Sequence, residues 1–204
     1  MKIVLTSNIE ALNSKNIGLL VGDSQKSIAV IPNAKDYYPK EIRDSKISES
    51  IKFMEDLGLN TTVVDLRHYF NSDSLRAVLE KFRVVWVLGG NTFHLMKAIQ
   101  YSGFDTIIGD LLNHGLIYGG ESAGAVVAGK SLFGYEKADS VEGLDNVTYL
   151  GLALVPFLVT PHVDSPIFSD AIKYVKKQNK NKYPVLDVKE TQVIVYENGK
   201  IVNS

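Results

Sequence analysis

No cysteine occurs among the 204 residues. That excludes a disulfide framework, a thiolate metal site and a cysteine nucleophile, and it accords with a reducing compartment. Net charge is also nearly missing, since 22 Lys and Arg stand against 23 Asp and Glu. General nucleic-acid binding needs a basic footprint, so that class is set aside. Long hydrophobic runs are absent: no window approaches the roughly 18 uninterrupted apolar residues of a membrane span. The opening "MKIVLTSNIE" has neither the length nor the small-residue cleavage site of a secretory signal. Repeats, low-complexity tracts and Pro- or Ser-rich linkers are lacking too. One domain over residues 1–204, in the cytoplasm and without a membrane or nucleic-acid partner, is the expectation. With 45% hydrophobic residues, a chain of this length buries a core without staples.

What is present is an alternation. The segments "KIVLTS" (Lys2 to Ser7), "SIAVIPNA" (Ser27 to Ala34), "TTVVDLR" (Thr61 to Arg67), "VVWVLGG" (Val84 to Gly90) and "LIYGGES" (Leu116 to Ser122) are short and apolar and end in turn residues. They read as strands buried on both faces. Helical patterns lie between them. "PKEIRDSKISESIKFMEDLGL" sets Ile42, Ile47, Ile51, Phe53, Met54 and Leu57 near one stripe, with Gly58 as a stop. "SDSLRAVLEKF" offers Ser72 or Asp73 as a cap, and "NTFHLMKAIQ" and "DTIIGDLLNHG" follow. Repeated strand–helix units imply an α/β fold with a doubly wound, mostly parallel sheet. Further on, "LALVPFLVTPH" reads as a long strand and "SPIFSDAIKYVKKQNK" as a helix capped by Ser165. "PVLDVKETQVIVYENGKIVNS" reads as strands closed by an "ENGK" hairpin.

"LIYGGESAGAVVAG" is a strand, a sharp turn and a small-residue helix. Gly120-Glu121-Ser122-Ala123-Gly124 matches the G-x-S-x-G nucleophile elbow in that context. Its glycines clear bulk from a strained turn, and the helix start offers free N–H groups to an oxyanion. The competing reading makes Ser122 a plain helix cap. A serine nucleophile needs a base, and only four histidines exist. His94 lies in a helix pattern, and His114 sits at a helix end where it favours the dipole. His68 follows a strand and stays a minor candidate. His162 follows "LALVPFLVTP" at a strand's carboxyl end, where open α/β sheets place ligands, and is the preferred base. The second glycine pair, in "VLGGNTF", is either a plain turn or the other half of an oxyanion hole. In the second case Gly90 and Ala123 supply the two amides, and Gly89 and Asn91 are expected to border the substrate.

Together these residues resemble the peptidase E family, serine dipeptidases that release N-terminal aspartate and have cyanophycinase among their relatives. The resemblance covers most of the chain and is carried by "KIVLTSN", "VLGGNTFHLM", "GGESAGAVVAG" and "VTPHVD". It implies a flavodoxin-like three-layer sandwich, similar to the class I glutamine amidotransferases but with Ser at the elbow. It implies Ser122 as nucleophile, His162 as base, and Gly90 and Ala123 as oxyanion donors. For the third member, matching "QVIVYENG" to the family's closing strand puts Glu190 at the acid position. The loop after the elbow helix supplies Glu136, Asp139 and Glu142 as other candidates, with Asp139 ranked second to Glu190. An N-terminal Asp would call for an Arg fork, yet "HVDSPIFSDAIKYVKKQNKNK" has no Arg. Its lysines (Lys173, Lys176, Lys177, Lys180 and Lys182) read as a solvated helix face. Asp164 and Glu121 are candidates to receive the free amine of a substrate. The expected function is therefore a serine peptidase acting on short peptides through an acyl-enzyme, with aspartyl dipeptidase activity as one form of it. Neither a metal nor an organic cofactor is expected: H-E-x-x-H spacing is absent, and "VLGGNTF" is out of register for dinucleotides. The rivals are an esterase-type serine hydrolase, disfavoured because its acid normally precedes the His, and an inactive peptide- or metabolite-binding module of the same fold.

Overall fold

A computed structural model describes residues 1–21, 27–70 and 72–203. The strands are β1 (Lys2–Thr6), β2 (Ser27–Ile31), β3 (Asn60–Val63), β4 (Val84–Val87), β5 (Ile117–Glu121), β6 (Leu158–Thr160), β7 (Val185–Asp187), β8 (Val193–Glu197) and β9 (Lys200–Asn203). The helices are α1 (Lys40–Asp56), α2 (Ser72–Leu79), α3 (Thr92–Ser102), α4 (Phe104–Asn113), α5 (Ala123–Val127) and α6 (Ser169–Gln178). Seven strands form one sheet in the order β3-β2-β4-β5-β1-β8-β9, and β6 and β7 form a small parallel sheet of their own. The first five strands of the large sheet run parallel, β8 runs antiparallel to β1, and β9 runs antiparallel to β8.

Helices cover both faces, as buried parallel strands require. One core joins α2, α3, α4 and α5 to Leu5, Val85, Val87 and Tyr118. The other packs Met54 of α1 against Val4, Val30 and Trp86. Every residue of β4 and β5 is buried, so their sequences could hold no alternation. The doubly wound α/β architecture predicted above is the one observed.

Several local expectations need correction. β3 is an edge strand with three of its four residues exposed, because no further strand covers it. Ile42 points outward at 47% exposure, and α1 buries Ile47, Ser50 and Met54 instead. Ser72 and Asp73 lie in the first turn of α2 rather than before it. The run from Leu152 yields only the three-residue β6. Its first part wraps the end of α5, with the amides of Leu152, Ala153 and Leu154 bonded to the carbonyls of Val127, Gly129 and Ala128 at 2.7, 2.9 and 2.9 Å. Ser165 makes no side-chain cap, and a 3-10 turn (Pro166–Phe168) precedes α6. The "ENGK" turn does carry positive φ at Asn198 (49°) and Gly199 (83°), as a type I′ hairpin demands.

Candidate active site

The carboxyl ends of β1, β2, β4 and β5 lie side by side, and the turns that follow them converge. At β5 the ladder to β1 runs one residue past the strand, with the Ser122 amide donating to the Thr6 carbonyl at 3.0 Å. The chain then reverses. Ser122 has φ 47° and ψ −112°, a region costly to any residue with a side chain. Its carbonyl accepts from the amides of Ala125 and Val126, both at 2.9 Å, which starts α5. Gly120 is required here: a Cβ on it would stand 2.4 Å from the Gly124 carbonyl oxygen. Strain held at one polar residue by a surrounding core is the mark of a functional turn.

Three side chains then join in series. Ser122 Oγ lies 3.0 Å from His162 Nε2, and His162 Nδ1 lies 2.8 Å from Glu190 Oε1. His162 itself has φ 62°, and its ring stacks on Phe168 at 4.6 Å between centroids. Its amide donates to Ser7 Oγ at 2.9 Å, and the Ser7 hydroxyl donates to the Val188 carbonyl at 2.9 Å. Glu190 is fixed twice more. Asn8 Nδ2 donates to its Oε2 at 2.6 Å, and its amide donates to Asp164 Oδ1 at 2.9 Å. Of the acids weighed from the sequence, Glu190 is the one joined to His162. Asp139 is not: its Oδ2 accepts from the Thr92 amide at 2.9 Å.

The other histidines lie outside this chain of bonds. His114 ends α4, with Nδ1 2.9 Å from the Asp110 carbonyl oxygen. His68 closes a 3-10 turn. His94 is on α3, and burial lowers its pKa.

The glycine pair after β4 owes its bareness to the protein's own packing. A Cβ on Gly90 would stand 2.2 Å from the Ala34 carbonyl oxygen, so its bareness admits a neighbouring turn rather than a substrate. The same carbonyl accepts the Asn91 amide at 2.7 Å. A Cβ on Gly89 would meet Ser122 Cβ at 3.0 Å. Both backbone groups of Gly89 are already engaged: its N–H donates to Glu121 Oε1 at 2.9 Å and its carbonyl accepts from Lys35 Nζ at 3.1 Å. Among the described residues, the amides of Gly90 and Ala123 donate to no protein acceptor.

Glu121 and Asn91 are corrected in the same way. The Glu121 carboxyl is buried beneath the glycine turn, away from any incoming amine, and burial raises its pKa against the pull of the Gly89 amide and Lys35. Lys35 has its own pKa lowered by burial. Asn91 caps α3, accepting from the amides of Phe93 and His94, and donates to the Ser140 carbonyl at 2.8 Å. Asp164 is exposed, but its bond to the Glu190 amide makes it a holder of that loop.

A cleft opens beside the serine, lined by Ser122, Ala123, His162, Thr92 and Asp139 and by apolar side chains of α5 and α6. Sequence reasoning missed Ser7, Asn8 and Phe168. The signal for the first two was the polar pair that follows β1, at the carboxyl end of a strand, where open α/β sheets place ligands. Among the described residues, no three His, Asp or Glu side chains are grouped to hold a metal ion, and no helix is long and apolar enough to cross a membrane.

A strained serine in line with a histidine and a carboxylate, at the carboxyl edge of a doubly wound sheet, defines the class of serine-type hydrolases. The comparisons narrow it: the model of peptidase family S51 matches residues 3–203, and the chain belongs to that family of serine-type peptidases. It is 31% identical to an uncharacterized peptidase of Listeria innocua over 159 residues, 73% of this chain and 76% of that one. It is 26% identical to peptidase E of a Nostoc species, over 82% of this chain and 64% of that one. A crystal structure from Listeria monocytogenes, of a protein named after peptidase E, superposes with a TM-score of 0.82 at 24% identity, covering 100% of this chain and 97% of the other. A peptidase from an acI-B1 actinobacterium superposes with a TM-score of 0.74 at 16% identity, covering 100% and 87%. These two likenesses bear on the fold.

Proposed function

We propose that this chain is a serine peptidase that cleaves short peptides through an acyl-enzyme. The observation that carries the reading is the unbroken series Ser122 Oγ to His162 Nε2 to Glu190 Oε1, at 3.0 and 2.8 Å. His162 takes the Ser122 proton as Oγ attacks the scissile carbonyl carbon. Glu190 holds the imidazole in orientation and stabilises its charged form, remaining ionised itself. The negative charge on the carbonyl oxygen falls to the free amides of Ala123 and Gly90. His162 then returns the proton to the leaving amine, and the acyl group stays on Ser122. A water molecule, deprotonated by His162, attacks the ester carbonyl, and His162 passes that proton to Ser122 Oγ as the acid product leaves. The scheme draws on the chain's own groups and water, at a soluble, cytoplasmic site of action.

The same series would serve an ester substrate. What favours peptides is the family to which the chain belongs.

The test is covalent labelling with a fluorophosphonate, together with turnover of aminoacyl p-nitroanilides. The wild-type protein should be labelled at Ser122, and Ser122→Ala should lose both label and turnover, by about 10⁴-fold or more. An unlabelled wild-type protein, or a Ser122→Ala variant that keeps its turnover, overturns the proposal and favours the binding-module alternative.

A further inference from the structure

The cleft at Ser122 contains a carboxylate that the mechanism leaves unused. Asp139 lines the same wall as Ser122 and His162. It is held by its own amide, which donates to the Tyr135 carbonyl at 2.9 Å, and by the Thr92 amide on Oδ2. The Asn91 bond to the Ser140 carbonyl pins the loop just beyond it. The ionisable groups near it are Tyr37, Tyr135 and His162. Lys and Arg are absent from the cleft lining, and no described ion pair reaches Asp139. A carboxylate removed from water and unmatched by a cation is costly to keep, and burial pushes the Asp139 carboxyl above its ordinary range. The remainder of the wall is apolar, formed by Val126, Ala138, Phe168, Ile172 and Val175.

We infer that Asp139 receives the free ammonium of the substrate's N-terminal residue, and that the apolar wall beside it receives that residue's uncharged side chain. The inference rests on the proposed peptidase reading and specifies its substrate. In an N-terminal residue the ammonium is borne by the carbon next to the scissile carbonyl. A group that binds it must therefore stand beside the nucleophile, as Asp139 does. An incoming ammonium supplies the missing cation and makes a charge-assisted hydrogen bond to the carboxylate. The same carboxylate repels a substrate Asp, for which the cleft offers no countercharge. The enzyme so described removes apolar N-terminal residues from short peptides. It rejects N-blocked chains and N-terminal Asp.

The test compares kcat/KM for the p-nitroanilides of Ala, Val, Leu and Asp with that for N-acetyl-Ala p-nitroanilide. The wild-type protein should prefer the free-amine apolar substrates to the acetylated and the Asp substrates by about a hundredfold or more. Asp139→Asn should bring the Ala and N-acetyl-Ala values to within about threefold of each other, mainly through KM on the free amine. Asp139→Glu, which keeps the charge, should restore part of the gap. A wild-type protein indifferent to acetylation, or best on Asp, overturns the inference even if no variant folds. So does an Asp139→Asn protein that loses the same factor on both substrates, since that is the behaviour of a helix cap. Labelling of Ser122 by the fluorophosphonate separates the two failures: labelling without amine preference removes this inference alone, and no labelling removes the peptidase reading with it.

Discussion

Ser122 and His162 stand 3.0 Å apart, yet they belong to differently built regions. Ser122 directly follows a strand whose five residues are all buried, in the middle of a seven-stranded sheet with β4 and β1 on either side. Backbone hydrogen bonds, glycine contacts and core packing set its position. His162 and Glu190 follow β6 and β7, two three-residue strands that pair only with each other. Glu190 keeps 33% of its side chain exposed. On this side, position is set by a few backbone bonds, such as that from the Val188 amide to the Thr160 carbonyl, and by side-chain contacts with Ser7, Asn8 and Asp164. The nucleophile is thus placed by the fold, and the base and acid by a few polar contacts spread over the sequence.

The contrast predicts that damage to the small-sheet side costs rate, while damage to the large-sheet side costs stability. The largest effect is expected from Glu190→Gln. It should lower kcat by about a thousandfold through a misoriented imidazole, and shift Tm by no more than about 2 °C. A matching collapse of Tm would erase the contrast. Gly120→Ala comes next: its Cβ would meet the Gly124 carbonyl, which the elbow cannot withdraw. It should cost about 3 kcal/mol, read as a lower denaturation midpoint. Wild-type stability in this variant would mean that the elbow is softer than its contacts imply. The smallest effect should come from Asn8→Ala, which frees one oxygen of Glu190. A fall in kcat of about tenfold is expected, with Asn8→Asp worse than Asn8→Ala because it sets two carboxylates together.

The same division decided what could be read from the sequence. Strands β1, β2, β4 and β5 declare themselves, because burial on both faces leaves an unbroken apolar run. The elbow declares itself because a Ser between glycines after such a run has few other uses. His162 could be reached by elimination in a chain with four histidines. The small sheet could not be read in this way. "LALVPFLVTPH" is apolar throughout, but most of it is buried as irregular chain around the end of α5, and burial without periodicity looks the same in a loop as in a strand. Glu190 followed from a family resemblance and not from its own surroundings, since nothing local marks one carboxylate among 23 acidic residues. Glu121, Asn91 and Gly89 are polar or bare residues beside the elbow and look like substrate ligands in one dimension. In three dimensions they answer the turn's own unpaired N–H groups.

The bond from Asn8 to Glu190 spans 182 positions, and so makes the orienting acid a product of long-range folding. Ser122 and His162 lie between these two positions, and the carboxylate that orients the histidine is held only once segments far apart in the sequence have met. Until β8 docks against β1, no orienting acid is in place. A chain in which they have not met carries a serine and a histidine with no acid to orient them.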